Sequence, residues 1–445
     1  MSRFLLTWTI FSLCLIMPLS AQDFGFGFDD DEEAAASFSS FEGGKGNPAV
    51  AINGEVSASM TGYGEDFLDG PHAVKLGTIF SGKLNFSASA SIAEGIIKLK
   101  LRPMVNPISI DEAYIRAYLG RFDIEAGLRK LTWGKADSFG PLDVVNPLDS
   151  SEIYPEMADN TDLMGIKIPR PLIHASVRLG QFSKLEGVFV PTFEPHGFAE
   201  TGRWTQAEMT LLSSLGTAPA TPETDALDYA QGGLRFTTTL GSSDFGVQYY
   251  YGRLPKPGVR MVMGPSPGIE LLYNPYHQIG FDYAQVIYGF NLRAELAANI
   301  TEDLSGDDGS VYNPALAWSL GFDRDLFLGI NLNAQANETI RLMDDQVGSA
   351  DFTRGSFDME GGTDLTDTRI TASLSRKFLR EELEIRAAAV WGVEDQDFVI
   401  MPALIWTKDD VTIACSGGIF GGDTGGQLGQ YHKNGFVKLR ITYTF

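Results

Sequence analysis

The side chains in this sequence best placed to do chemistry are cations that recur at two-residue spacing. Lys98, Lys100 and Arg102 alternate with Leu99 and Leu101. In other segments of alternating polarity, the face opposite the aliphatic one carries Arg116, Arg129, Arg178, Arg235, Arg293, Arg369, Lys377, Arg386, Lys438 and Arg440. Acids on that face are fewer, namely Glu112, Glu125, Glu295 and Glu384. Such an array does its chemistry without making bonds, because Lys and Arg in a low-dielectric wall concentrate anions and repel cations. A second reading stands beside it, in which Arg and Glu ladders brace one another across an interior. Both can hold at once.

Covalent and metal chemistry find less support. His72, His174, His196, His277 and His432 are scattered, none in a catalytic signature, and metal ligands do not cluster. No cofactor or metal is expected, and the chain is not expected to be an enzyme. A net charge of −23 argues against a nucleic-acid partner. Cys14 lies in the N-terminal apolar run, which leaves Cys415 without an intramolecular partner.

The elements that must position these cations are strands. Residues 96–102, 111–119, 122–131, 172–179, 233–240, 245–251, 289–297, 369–377 and 383–390 alternate in polarity and are separated by Gly, Pro, Asn and Asp. Tilted strands of roughly 9–11 residues cross a bilayer with one face in lipid. A charge on that lipid face near the midplane costs about 2–4 kcal/mol, so the cations must face a lumen. The last residues alternate as well. Val437, Leu439, Ile441, Tyr443 and Phe445 share one face, and Lys438, Arg440, Thr442 and Thr444 the other. This ending resembles the terminal strand of bacterial outer-membrane barrels, whose final aromatic residue is part of an assembly signal. The 49 Gly, 29 Phe and mean hydropathy near zero suit a wall that is apolar on one side only. The expected fold is therefore all-β, a transmembrane antiparallel β-barrel of about 18 strands (roughly 16–20).

At the N-terminus, Arg3, an apolar run and Ser20-Ala21 read as a signal peptide over 1–21, too short for a transmembrane helix. Residues 22–47, with the acidic run 29–33, read as a disordered periplasmic arm, and 48–445 as the barrel. Long loops are expected over 142–162, 191–227, 253–275 and 341–366, with a short helix at 205–215 as a candidate constriction. The acids missing from the strands sit in the arm and the loops, such as Asp307-Asp308 and Asp344-Asp345.

One stretch reads as a motif. Gly127-Leu128-Arg129 runs through Lys130 to Trp133-Gly134-Lys135, and Asn146-Pro147-Leu148-Asp149 follows. Trp133 suits a membrane-water interface, Gly134 a sharp exit from a strand, and Asn146-Pro147 a turn. A loop built for its own geometry accounts for the same residues. The arrangement resembles the strand-loop signature of alginate-export-type outer-membrane porins over about 30 residues, with Lys130 near the family's usual Gln. That resemblance implies a polyuronate cargo, with Arg129 and Lys135 as carboxylate ligands.

The expected function is thus a porin of the bacterial outer membrane, passing small hydrophilic solutes through a basic lumen and favouring anions or anionic saccharides. The alternatives are a fatty-acid-type transporter plugged by the Phe-rich arm, or a structural or adhesive barrel. Expected partners are outer-membrane lipids, a lipopolysaccharide-type surface, the barrel-assembly machinery reading Phe445, small solutes, and two further copies in a homotrimer.

Overall fold

The computed structural model describes residues 49–68, 76–103, 106–151, 153–159, 163–199, 201–206, 220–262, 268–347, 360 and 363–445. The leader and arm expected over 1–47 lie outside these residues, as does most of the helix expected at 205–215.

The strands in chain order are β1 (Ala49–Tyr63), β2 (Gly77–Ser89), β3 (Ala93–Arg102), β4 (Asn106–Leu119), β5 (Phe122–Arg129), β6 (Arg170–Arg178), β7 (Ser183–Val190), β8 (Gln231–Leu240) and β9 (Ser243–Arg253). A hairpin of β10 (Gly258–Val262) and β11 (Gly268–Leu272) stands apart. The wall resumes with β12 (Pro275–Ile287), β13 (Phe290–Thr301), β14 (Ala315–Asp325), β15 (Ile330–Arg341), β16 (Thr366–Phe378), β17 (Leu383–Gly392), β18 (Asp397–Lys408), β19 (Val411–Gly422) and β20 (Phe436–Thr444).

Apart from β10 and β11, these strands form one 18-stranded antiparallel sheet that closes on itself, as the alternation predicts. Each strand pairs with its chain neighbours in the wall, and β1 with β20 completes the circle. At that seam Phe445 N–H donates to Gly54 O and Gly54 N–H donates to Phe445 O, both at 2.9 Å. Closure leaves no strand edge unpaired, which a sheet surrounded by lipid requires.

The alternation of residue types is the alternation of faces. Val50, Ile52 and Val56 on β1, Ile97 on β3, Leu316 and Leu320 on β14, and Val437, Leu439, Ile441 and Tyr443 on β20 point outward and are exposed. A soluble protein would bury such residues; here they form the lipid-facing belt. One irregularity matters inside. Between Lys98 and Leu99 of β3 the register with β4 slips, so that Lys98 faces Glu112 and Leu99 faces Ile110. The extra residue is Asp111. A bulge of this kind re-aims a side chain, and Asp111 joins Glu112 among the lumenal cations.

The two ends differ. Short turns such as 120–121, 241–242 and 288–289 close the end that holds Ala49 and Phe445, the periplasmic end by the usual asymmetry of such barrels. The opposite end carries the long connections 130–169, 191–230, 254–274 and 342–365.

Candidate functional site: a lumen crossed by a loop

The connection after β5 does not stay outside. Its described residues between 130 and 169 enter the lumen and attach to inward-facing side chains around the wall. On β13, the Glu295 carboxylate accepts N–H bonds from Lys135, from Ala136 (2.7 Å) and from Leu142 (3.3 Å). Gly134 (φ +101°) and Gly140 press against the same carboxylate, and a Cβ at either position would collide with it. Gln335 on β15 accepts from Asp137 N–H (2.9 Å) and Ser138 N–H (3.0 Å), while Asp137 pairs with Arg293 of β13 at 2.6 Å. Gln248 on β9 and Gln278 on β12 donate to Leu142 O and Pro141 O, each at 2.9 Å. Across the barrel, Lys438 of β20 donates to Pro155 O at 2.7 Å, and Arg440 pairs with Glu156 at 2.8 Å and Asp159 at 3.3 Å. Lys100 of β3 donates to Gly165 O at 3.0 Å, which completes the traverse.

The loop holds its own shape through Asn146. Its Oδ1 accepts Leu131 N–H at 2.8 Å, and its Nδ2 donates to Arg129 O at 3.1 Å and Ile168 O at 2.9 Å, tying the loop's entry to its exit. Lys167 adds a second tie, donating to Leu131 O at 2.8 Å and pairing with Asp143 at 2.7 Å. Trp133 is buried inside the barrel, edge-on to Tyr250 and clustered with Leu131, Val145, Leu172, Val188 and Tyr276. This corrects its expected place at the membrane interface: the indole serves as an apolar anchor for the loop. The first long loop thus crosses the lumen, and among the described residues of the second, Trp204 also packs on the inner wall beside Val399, Met401, Phe420 and Phe436. The second loop docks on the first, where Leu148 N–H donates to His196 Nδ1 at 2.8 Å.

Charge governs these attachments. Burial raises the Asp137 carboxyl above its ordinary value, against the pull of Arg293. Burial also raises Asp159 despite Lys438 and Arg440. At Glu156 burial acts the same way, but the two cations outweigh it and hold the carboxyl below its ordinary value. Burial, with Lys256 nearby, lowers His196 to about 4, so its ring is neutral and accepts.

Most of the sequence-predicted cations face carboxylates. Lys98 meets Glu112 at 2.6 Å, Lys100 meets Asp111 at 2.8 Å, and Arg116 meets Glu125 at 2.5 Å. Arg129 pairs with Glu125 and lies over the Tyr114 ring at 4.9 Å. Arg235 binds the fully buried Asp282 at 2.7 Å, and Arg293 adds Asp323 at 2.7 Å. Looser partners are Asp244 for Lys135 (4.0 Å), Asp123 for Arg178 (4.0 Å), Asp367 for Arg369 (3.1 Å), Glu384 for Arg386 (3.9 Å) and Glu381 for Lys377 (3.9 Å). Arg102 contributes to the positive field at Glu156. The structure therefore spreads these residues around the wall and does not gather them into one pocket. Sequence reasoning gave no role to Asp111, Asp143, Lys167 and Glu186. Asp111 breaks the alternation, Asp143 and Lys167 belong to no strand pattern, and Glu186 lies on β7, a strand outside the segments named from the alternation. The string Gly264-Pro265-Ser266-Pro267-Gly268 has the spacing of a nucleophile elbow, and residues 264–267 lie outside the described residues.

Solved structures match this chain over most of its length. The structure of OccK2 (OpdF) from Pseudomonas aeruginosa matches 89% of this chain and 98% of its own, at 8% identity and a TM-score of 0.52. A BenF-like porin from Pseudomonas fluorescens matches over the same shares at 8% identity and 0.52. OccK8 (OprE) from P. aeruginosa matches 89% of this chain and 98% of its own at 10% identity and 0.50. The fold is that of an outer-membrane porin. No family model and no curated protein matches the sequence. The comparisons thus give the fold, and the alginate-export resemblance rests on its motif alone.

Proposed function

We propose that this porin is a diffusion channel for small hydrophilic solutes that favours anions, uronate-type saccharides among them. One observation carries the reading. In the ion pairs within and between wall strands β3 to β7, the cation is the more exposed partner. The Lys98 side chain is 42% exposed against 5% for Glu112, Arg178 59% against 26% for Asp123, and Lys184 44% against 10% for Glu186. A solute on this wall meets ammonium and guanidinium groups, with the carboxylates behind them. Each pair is close to neutral, yet the field at the solute's surface is positive. Lys98, Lys100, Arg102, Arg116 and Arg178 serve as the selecting wall. Arg129, Lys135, Arg235, Arg293, Arg369 and Arg386 act mainly as braces for wall and loop.

The class of anion follows from two supports. Guanidinium and ammonium groups bind carboxylates through charge-assisted hydrogen bonds. OccK2 was solved in complex with glucuronate, and the motif around Trp133-Gly134 and Asn146-Pro147 resembles that of alginate-export porins. The same reading takes 1–21 as a cleaved leader, 22–47 as a periplasmic arm, the strand ending at Phe445 as the signal for the assembly machinery, and a trimer as the assembled state. Swelling of proteoliposomes tests the selectivity. Glucuronate is expected to enter faster than glucose, a neutral sugar of similar size. Equal rates, or faster glucose, would contradict the proposal.

A further inference from the structure

Arg324 and Arg376 are strand cations that face away from the lumen. Arg324 shares the outward face of β14 with Leu316 and Leu320, and Arg376 shares that of β16 with Ile370 and Leu374. Both stand within three residues of a periplasmic turn. Among the described residues neither makes an ion pair, and Arg376 Nε is buried without a hydrogen-bond partner. Their acidic neighbours are engaged elsewhere: Asp323 binds Arg293 at 2.7 Å, and Asp325 accepts from Asn331 at 3.0 Å. Each guanidinium instead lies over an aromatic ring, Arg324 at 4.2 Å from the centre of Phe290 and Arg376 at 4.6 Å from that of Phe378.

The sheet register brings the two together. Arg324 is opposite Leu332 of β15, and Arg376 is opposite Ile330 of the same strand. Strands two apart in a sheet are separated by roughly 10 Å, within joint reach of two long side chains. Below this pair the turn 326–329 holds Phe327 at 77% exposure and Leu328 with φ +62°. Exposed apolar side chains at a turn tip, one of them in a backbone region that bulky residues avoid, are unfavourable in water. They are favourable in the interfacial layer of a bilayer, where an apolar body sits beside charged heads.

We propose that Arg324 and Arg376, with Phe290, Phe378 and the turn holding Phe327, form a binding site for the phosphate of a phospholipid headgroup in the periplasmic leaflet. The guanidinium groups take the phosphate oxygens, the rings hold the guanidinium planes flat, and Ile330 and Leu332 between them meet the acyl chains. An outward cation costs little at this depth and gains a fixed counter-charge.

Native mass spectrometry of the full-length barrel, with dioleoyl phosphatidylglycerol as probe, tests this. Wild type is expected to retain bound lipid after release from detergent, R324L/R376L to lose it, and R324K/R376K to keep part of it. Equal retention in wild type and R324L/R376L would overturn the site. Displacement of the lipid by glycerol phosphate alone would make it a site for free phosphate and overturn the lipid assignment. Heat-modifiable gel mobility checks that each variant is folded. Should R324L/R376L not fold, F327W in vesicles decides the matter. Added fluorescence quenched by lipids brominated near the headgroup supports the proposal, and quenching only by aqueous acrylamide contradicts it.

Discussion

Glu295 is a charged side chain on the inner wall, and its role is to hold a loop. Its carboxylate accepts backbone N–H bonds from Lys135, Ala136 and Leu142, while Gly134 and Gly140 let the backbone approach. Removing it in Glu295→Ala strands those donors, at about 1–3 kcal/mol each where they stay buried. Single-channel recording is expected to show a larger and noisier conductance. Gly134→Ala meets both a clash and an unfavourable φ, with a cost on the order of 1–3 kcal/mol and the same direction of effect. His196 predicts a pH dependence. Its folded pKa, about 4, lies below the ordinary value of about 6.5, so its contribution is full above that value and fades as pH falls towards 4. Hydrogen exchange at the Leu148 amide is therefore expected to lose protection across that window in wild type, with no such pH-linked loss in His196→Ala.

At the scale of elements, the strands were legible because lipid on one side and a lumen on the other enforce a period of two. Residues 96–102 and 369–377 fall inside β3 and β16 for that reason. The crossing loop was not legible. Trp133 fits a membrane interface by its own chemistry, and only Tyr250 and Val190, brought close by closure of the barrel, make it a core residue. Asp111 was hidden by a bulge, since parity assigns it to lipid. Asn146 was read as turn chemistry, whereas its side chain joins both ends of the loop. Asn146→Ala removes those bonds and is expected to weaken the loop by about 2 kcal/mol or more. Limited proteolysis of the folded barrel should then cut within 130–169, where wild type resists.

At the scale of the molecule, the formal charge of −23 and the basic reading of the lumen are compatible because position, not total, sets the local field. On β3 to β7 Glu112 and Glu186 lie behind Lys98 and Lys184, whereas on β16 and β17 Asp367 and Glu384 are more exposed than Arg369 and Arg386. Much of the positive charge is paired with carboxylates, so the preference for anions is expected to be moderate and to fade at high salt. The most direct test is the reversal potential of the refolded porin in a planar bilayer under a potassium chloride gradient. A potential of the sign set by chloride, reduced or inverted in Lys98→Glu/Lys184→Glu, is the predicted result. A potential of the sign set by potassium in the wild-type channel would contradict the account.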